Sequence, residues 1–400
     1  MKKQVLCLLV SVCLGWSITG VPAKAAEVEV GKIPLNFSVD LRLRSEYIDH
    51  DGFNNDDYRW RQRYRLRFGL TADITEHTTV GFRLSSGASG FPTTGFQTFD
   101  SANFDKFQFT IDRVYVGYKR EIGPVLTTIY LGKFGHPFYT PTEIVWDMDL
   151  QPTGAAELFG IKGTGITLAA AQYFIRETRK AAGTGSNLYA GQISWKGDFE
   201  PAAAGLGVAY YAISNPVQVA TDANASNAEF ITNKNFGTCT GGNTGTCAST
   251  VSNFRILNLS AETTFKRLPL PLKLVGEYVI NLGAKAAVVG GNSFGKEDTA
   301  WLVAAYFGKA KEKGDWRIGA GYTEIQADAV VANFNSDDLQ QTNVNTIFTE
   351  LRYQLHQRVY VYYDGYYQRR NNFDLAVANG NAATDNTRLY RHRVTLVVEF

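Results

Sequence analysis

Beyond its first two dozen residues the chain has no apolar run approaching twenty, so no transmembrane helix is expected. Cysteine is scarce. Of four, Cys7 and Cys13 lie in the N-terminal apolar stretch, leaving Cys239 and Cys247 in "CTGGNTGTC". No histidine stands near that pair to complete a zinc site, and in an oxidising compartment it reads as a local disulfide closing a Gly/Thr-rich loop. The five histidines, His50, His77, His136, His356 and His392, form no His-x-x-x-His or His-Glu-x-x-His pair. No metal and no cofactor are expected. No G-x-S-x-G nucleophile motif occurs. "GGNSFGKE" (Gly290 to Glu297) falls short of a phosphate-binding loop, because Glu297 stands where a magnesium-binding hydroxyl belongs. Nothing here suggests an enzyme. A formal charge of +2 gives no reason to expect a nucleic-acid partner. There is no heptad region, domain linker or basic tail.

The N-terminus carries Lys2 and Lys3, a mainly apolar Val5–Ile18 stretch, and Ala23-Lys24-Ala25 as a small-x-small cleavage pattern. This reads as a signal peptide, residues 1–25, removed on export. Its loss takes three lysines and no acid, so the charge becomes −1. Residues 26–400 are then expected to form a single domain.

In "YRWRQRYRLRFGL" every second residue is an arginine: Arg59, Arg61, Arg63, Arg65 and Arg67. Residues spaced by two scatter around a helix but share one face of a strand. The opposite face carries Trp60, Tyr64, Leu66 and Phe68. One such segment fits a half-wet soluble strand as well as a barrel strand. Alternation nonetheless recurs to the last residue. "FSVDLRLRSEY" opposes Phe37, Val39, Leu41 and Leu43 to Asp40, Arg42, Arg44 and Glu46, and "VGFRLSSG" opposes Val80, Phe82 and Leu84 to Arg83. Further candidates span 106–120, 124–134, 157–162, 166–176, 186–195, 204–213, 254–265, 272–281, 298–309, 316–327, 346–355, 358–369 and 387–400. The count is sixteen, with fourteen and eighteen open.

Connection lengths alternate too. "DITEH", "REIGP", "KGTG", "KGDFEPAA", "KRLPLP", "KAKEKGD" and "LHQ" are short, whereas 48–57, 87–105, 135–156, 214–253, 282–297, 328–345 and 370–386 are long. Transmembrane barrels segregate short turns and long loops to opposite ends. A mean hydropathy of −0.17 fits a barrel, because half of each strand faces water. Aromatics at 13% would supply interface girdles. The fold class is therefore all-β: a transmembrane antiparallel up-and-down β-barrel. On the lipid face an arginine at mid-membrane would cost about 2–4 kcal/mol, so the ladder must face the lumen.

The last strand, "YRHRVTLVVEF", ends on Phe400. With "GFRLSSG", "LGKFGHPF", "IVWDMDL", "PTGA" and the arginine strand, it makes the chain resemble Gram-negative outer-membrane porins, more narrowly the family labelled "putative porin". The resemblance covers roughly the first 160 residues and the terminus. It implies an outer-membrane channel for passive diffusion of small hydrophilic solutes, in contact with lipid and lipopolysaccharide and expected as a homotrimer. Phe400 would be the signal read by the barrel-assembly machinery. The third long loop, about 135–156, would fold inward and set Glu143, Asp147 and Asp149 against a pore-lining basic wall of Arg42, Arg44, Arg59, Arg61, Arg63, Arg65, Arg67 and Arg83. Such a wall favours anions. A substrate-specific channel and a non-conducting surface adhesin remain the alternatives.

Overall fold

The computed structural model describes residues 27–30, 33–51, 58–87, 93, 95–99, 107–179, 184–216, 235–236, 249–250, 252–289, 291–339, 342–378 and 388–400. The signal segment and the Cys239–Cys247 pair lie outside the described residues. Among the described residues no helix is long and apolar enough to cross a membrane.

The chain forms a closed antiparallel barrel of sixteen strands. They are β1 (Ile33–Asp51), β2 (Tyr58–Asp73), β3 (Thr78–Ser86), β4 (Phe109–Ile122), β5 (Val125–Lys133), β6 (Thr153–Ile161), β7 (Ile166–Arg179) and β8 (Thr184–Phe199). The second half is β9 (Ala202–Ile213), β10 (Arg255–Phe265), β11 (Leu272–Asn281), β12 (Thr299–Gly308), β13 (Trp316–Ile325), β14 (Val344–His356), β15 (Val359–Arg370) and β16 (Arg388–Glu399). Each pairs with its sequence neighbours, and β16 returns to β1 from Asp40↔Glu399 to Asp51↔Arg388. Closure leaves no free edge, and every strand finds its ladder partners within the wall. Fourteen and eighteen strands are thereby excluded.

The period-two pattern decides which side chains face out. Leu43, Trp60 and Phe68 on β1 and β2, Leu206 and Val208 on β9, Val303 on β12 and Ile347 and Leu351 on β14 all stand exposed on the outer surface. An apolar belt this continuous is too large for a water-facing surface and suits lipid. Connections at one rim are short (74–77, 123–124, 162–165, 200–201, 266–271, 309–315 and 357–358), as expected. Strand ends differ in detail from the alternation. β6 begins at Thr153, not 157, because Gly154 lets the backbones close up: a Cβ there would sit 2.0 Å from the Gln172 carbonyl oxygen. The third connection of the long rim, loop 3, is therefore 134–152.

Candidate functional site

The barrel interior has two unlike walls. Arginines concentrate on one, running from β16 through β1 and β2 to β3 and β4. Its register sets Arg42 opposite Arg65 and Arg44 opposite Arg63, with Asp40↔Arg67 and Glu46↔Arg61 flanking them. Like charges directly opposite destabilise a ladder, so each arginine needs a partner, and most have one.

Arg42 holds Asp40 at 3.0 Å and reaches Glu399 at 3.5 Å. Arg61 bonds Glu46, whose other oxygen is 3.6 Å from Arg63. Arg65 bonds Asp40, and Arg83 bonds Asp112. Arg44 takes a different route, donating to Thr395 Oγ1 at 3.1 Å and Tyr362 Oη at 2.9 Å. Its guanidinium also lies 3.7 Å from the centre of the Phe96 ring, a cation–π contact. Phe96 is held there because Gln97 and Thr98 pair with Tyr64 and Arg63 on β2. Arg59 differs from the other ladder members: it is exposed at the end of β2 nearest the long connections.

The opposite inner wall is apolar over much of its area. Tyr173, Leu188, Tyr211, Ile256, Val275, Val279, Leu302 and Ile325 all point inward and are buried. Among the described residues two long connections cover them, with Phe254 of a third packed beside. Loop 3 contributes Phe134, Phe138, Ile144 and Trp146; loop 7 (326–343) contributes Val330, Val331 and Leu339. Loop 3 is pinned to this wall by reciprocal bonds in which the Tyr139 amide donates to Gln192 Oε1 at 2.7 Å and Gln192 Nε2 donates to the Tyr139 carbonyl at 2.8 Å. Gly207 makes room for the Tyr139 ring, which a Cβ there would approach to 2.8 Å. The Thr142 hydroxyl bonds Glu277 on β11.

From that anchorage loop 3 reaches the basic wall. Asp149 meets Arg65 at 2.9 Å and Arg67 at 2.8 Å. A segment bonded to β8 and β11 at one end and β2 at the other must cross the interior. Loop 7 meets it there: the Asp147 amide donates to the Phe334 carbonyl at 2.7 Å, and the Ser336 amide to the Glu143 carbonyl at 3.1 Å. Loop 7 then reaches β16, where Asp338 takes two hydrogen bonds from Arg393, one of them 2.8 Å.

The three acids expected on loop 3 therefore separate. Asp149 alone touches the arginines. Burial pushes its carboxyl up, but Arg65 and Arg67 more than offset this and hold it at about 2. Glu143 and Asp147 lie within the loop 3–loop 7 contact. Burial and then Asp338 push Glu143 up to about 8. Burial and then Glu143 push Asp147 well up. Asp337 of loop 7 rises to about 7 by burial and its neighbour Asp338, against the arginines. His136 stacks on Trp146, ring centres 4.4 Å apart, and burial drives its pKa down to about 3.

Loop 7 and its partners Arg391, Arg393 and Asp364 are absent from the sequence-based site. A signal existed in "ADAVVANF": Ala329, Val330 and Val331 form an apolar run that a solvated connection would not carry.

The family model described as "Putative porin" matches residues 37–238 and 227–364. Among solved structures, Pseudomonas putida OprB superposes with a TM-score of 0.56 at 11% identity, covering 92% of this chain and 94% of that one. Salmonella typhi OmpF, solved with daunomycin, superposes at 0.50 with 9% identity, covering 94% of this chain and all of that one. At these identities the likeness speaks for the fold. No curated protein matches. With most of its length under the family model and its sixteen strands closed, the chain belongs to the "Putative porin" family of transmembrane β-barrels.

Proposed function

We propose that the protein is a passive diffusion channel of a Gram-negative outer membrane, admitting small hydrophilic solutes by size and charge. The single observation that carries the reading is loop 3: it crosses the interior and sets Asp149 against Arg65 and Arg67, so charges of both signs border the passage. In a narrow lumen such fixed charges act through less water than in bulk. Arg42, Arg44, Arg61, Arg63, Arg65, Arg67, Arg83, Arg391 and Arg393 together outnumber the carboxylates that pair with them, Asp40, Glu46, Asp112, Asp149, Asp338, Asp364 and Glu399. This supports a modest preference for anions. Two crossing loops rather than one favour a narrow, selective passage.

The remaining parts of the reading fit around this. The leader 1–25 is removed on export, and lipid and lipopolysaccharide surround the apolar belt. Phe400, whose backbone exchanges hydrogen bonds with Val39 at 2.7 and 3.0 Å, is the terminal signal for the barrel-assembly machinery. A homotrimer is supported by outward-facing Ser45, Gln62 and His392, which interrupt the belt near the seam and suit a second copy better than lipid. Planar-bilayer recording tests the channel: stable stepwise currents are expected from the purified protein. Reversal potentials in a KCl gradient test the anion preference, which clear cation selectivity would remove.

A further inference from the structure

Loop 3 and loop 7 do the same thing to the basic wall. Asp149 bridges Arg65 and Arg67, two residues apart on one face of β2. Asp338 bridges Arg391 and Arg393, two residues apart on one face of β16. β1 lies between them, paired to both strands. In each cluster the arginine side chains are withdrawn, 2% to 9% exposed, whereas the aspartates show 20% and 32% of their surface. The carboxylates are therefore the parts of the clusters that a passing ion approaches.

Loop 7 is placed to hold its aspartate there. Gln368 Nε2 donates to the Asp338 carbonyl at 3.1 Å, and Leu339 beside it is buried among the residues that cover the apolar wall. Arg393 is shared between Asp338 and Asp364, while Arg391 reaches Asp338 at 3.6 Å. With Asp338 neutralised, the β16 side would present cationic charge comparable to that of the β2 side without Asp149.

We infer that Asp338 is a second determinant of ion selectivity, acting on the Arg391–Arg393 pair as Asp149 acts on Arg65–Arg67. The inference rests on the channel reading. Removing one unit charge about 6 Å from an ion path in water, screened over a Debye length of about 8 Å, changes relative ion occupancy on the order of threefold.

The test is the zero-current potential of single channels in a KCl gradient, compared among wild type, Asp338→Asn, Asp338→Glu and Arg391→Gln. Asp338→Asn is expected to raise chloride over potassium permeability by about threefold. Asp338→Glu keeps the wild-type ratio, and Arg391→Gln shifts it the other way. Opposite signs for the two neutralisations separate charge from simple loosening of loop 7, which would move both variants alike. If Asp338→Asn does not assemble, Arg391→Gln and Asp338→Glu still decide. A conducting wild type whose ratio is unmoved by these neutralisations, or moved in one direction by both, overturns the inference and leaves the channel intact. A wild type that never conducts overturns the channel reading and this inference with it.

Discussion

The two inner walls of this barrel are built by the same alternation and end in opposite chemistry. On β16, β1 and β2 many inward positions are arginines, met by carboxylates from the wall and from two loops. On β7 to β13 many are Leu, Val, Ile, Ala and Tyr, met by loop residues that bury their own aromatics. The apolar wall acts as the anchor, since dispersion and burial hold loops 3 and 7 without regard to charge. On the channel reading proposed above, the basic wall is the selector, because there the loops present single carboxylates to paired cations. An apolar inner wall left open to water would gain nothing from its composition. Covered by the loops it becomes a half-core inside a channel.

Trp146 tests the anchor. It is 4% exposed, stacks on His136 and touches Tyr173 and Phe334. Trp146→Ala should cost about 3–5 kcal/mol of local packing and release loop 3 from the apolar wall. Single-channel conductance should rise and loop 3 should become open to protease, while the barrel keeps its resistance to unfolding in detergent.

Acidity probes the contact between the two loops. Glu143 and Asp337 ionise near 4.5 and 3.8 in an unfolded chain but at about 8 and 7 in the fold. A raised carboxyl pKa makes folding favour the protonated form, so the contact is strongest below the unfolded values and weakens as pH rises toward 8. Asp149, held at about 2, keeps its charge throughout that range. Current noise in single channels should therefore grow between about pH 5 and pH 8, and the zero-current potential should move toward cations as Asp337, next to Asp338, gains its charge.

Arg59 sharpens the comparison from the other side. It belongs to the ladder by sequence but stands exposed at the strand end. Arg59→Gln should leave the zero-current potential within the scatter of wild type, whereas Arg65→Gln shifts it toward cations.

The two walls also explain what could be read beforehand. β2 was legible because its faces differ maximally: Trp60, Leu66 and Phe68 outward, arginines inward. β9, β11 and β12 alternate poorly, since Val275 and Val279 point into the barrel while Leu274 and Tyr278 point out, both toward apolar surroundings. Period two survives there in the structure but not in hydropathy. The placement of Asp149 against arginines followed from charge and loop position. The withdrawal of Glu143 and Asp147 did not, because it depends on loop 7, a partner nearly 190 residues away along the chain in the Asp147–Phe334 contact. Apolar Ala329, Val330 and Val331 within a long connection were the one local sign of that partner.

The most direct test is the zero-current potential and unitary conductance of wild type beside Asp149→Asn, recorded in the same KCl gradient. Stepwise currents are expected from both, with the variant more anion-selective on the order of threefold because Arg65 and Arg67 lose their counter-charge. Conducting channels of identical selectivity would contradict it, since Asp149 would then border no ion path.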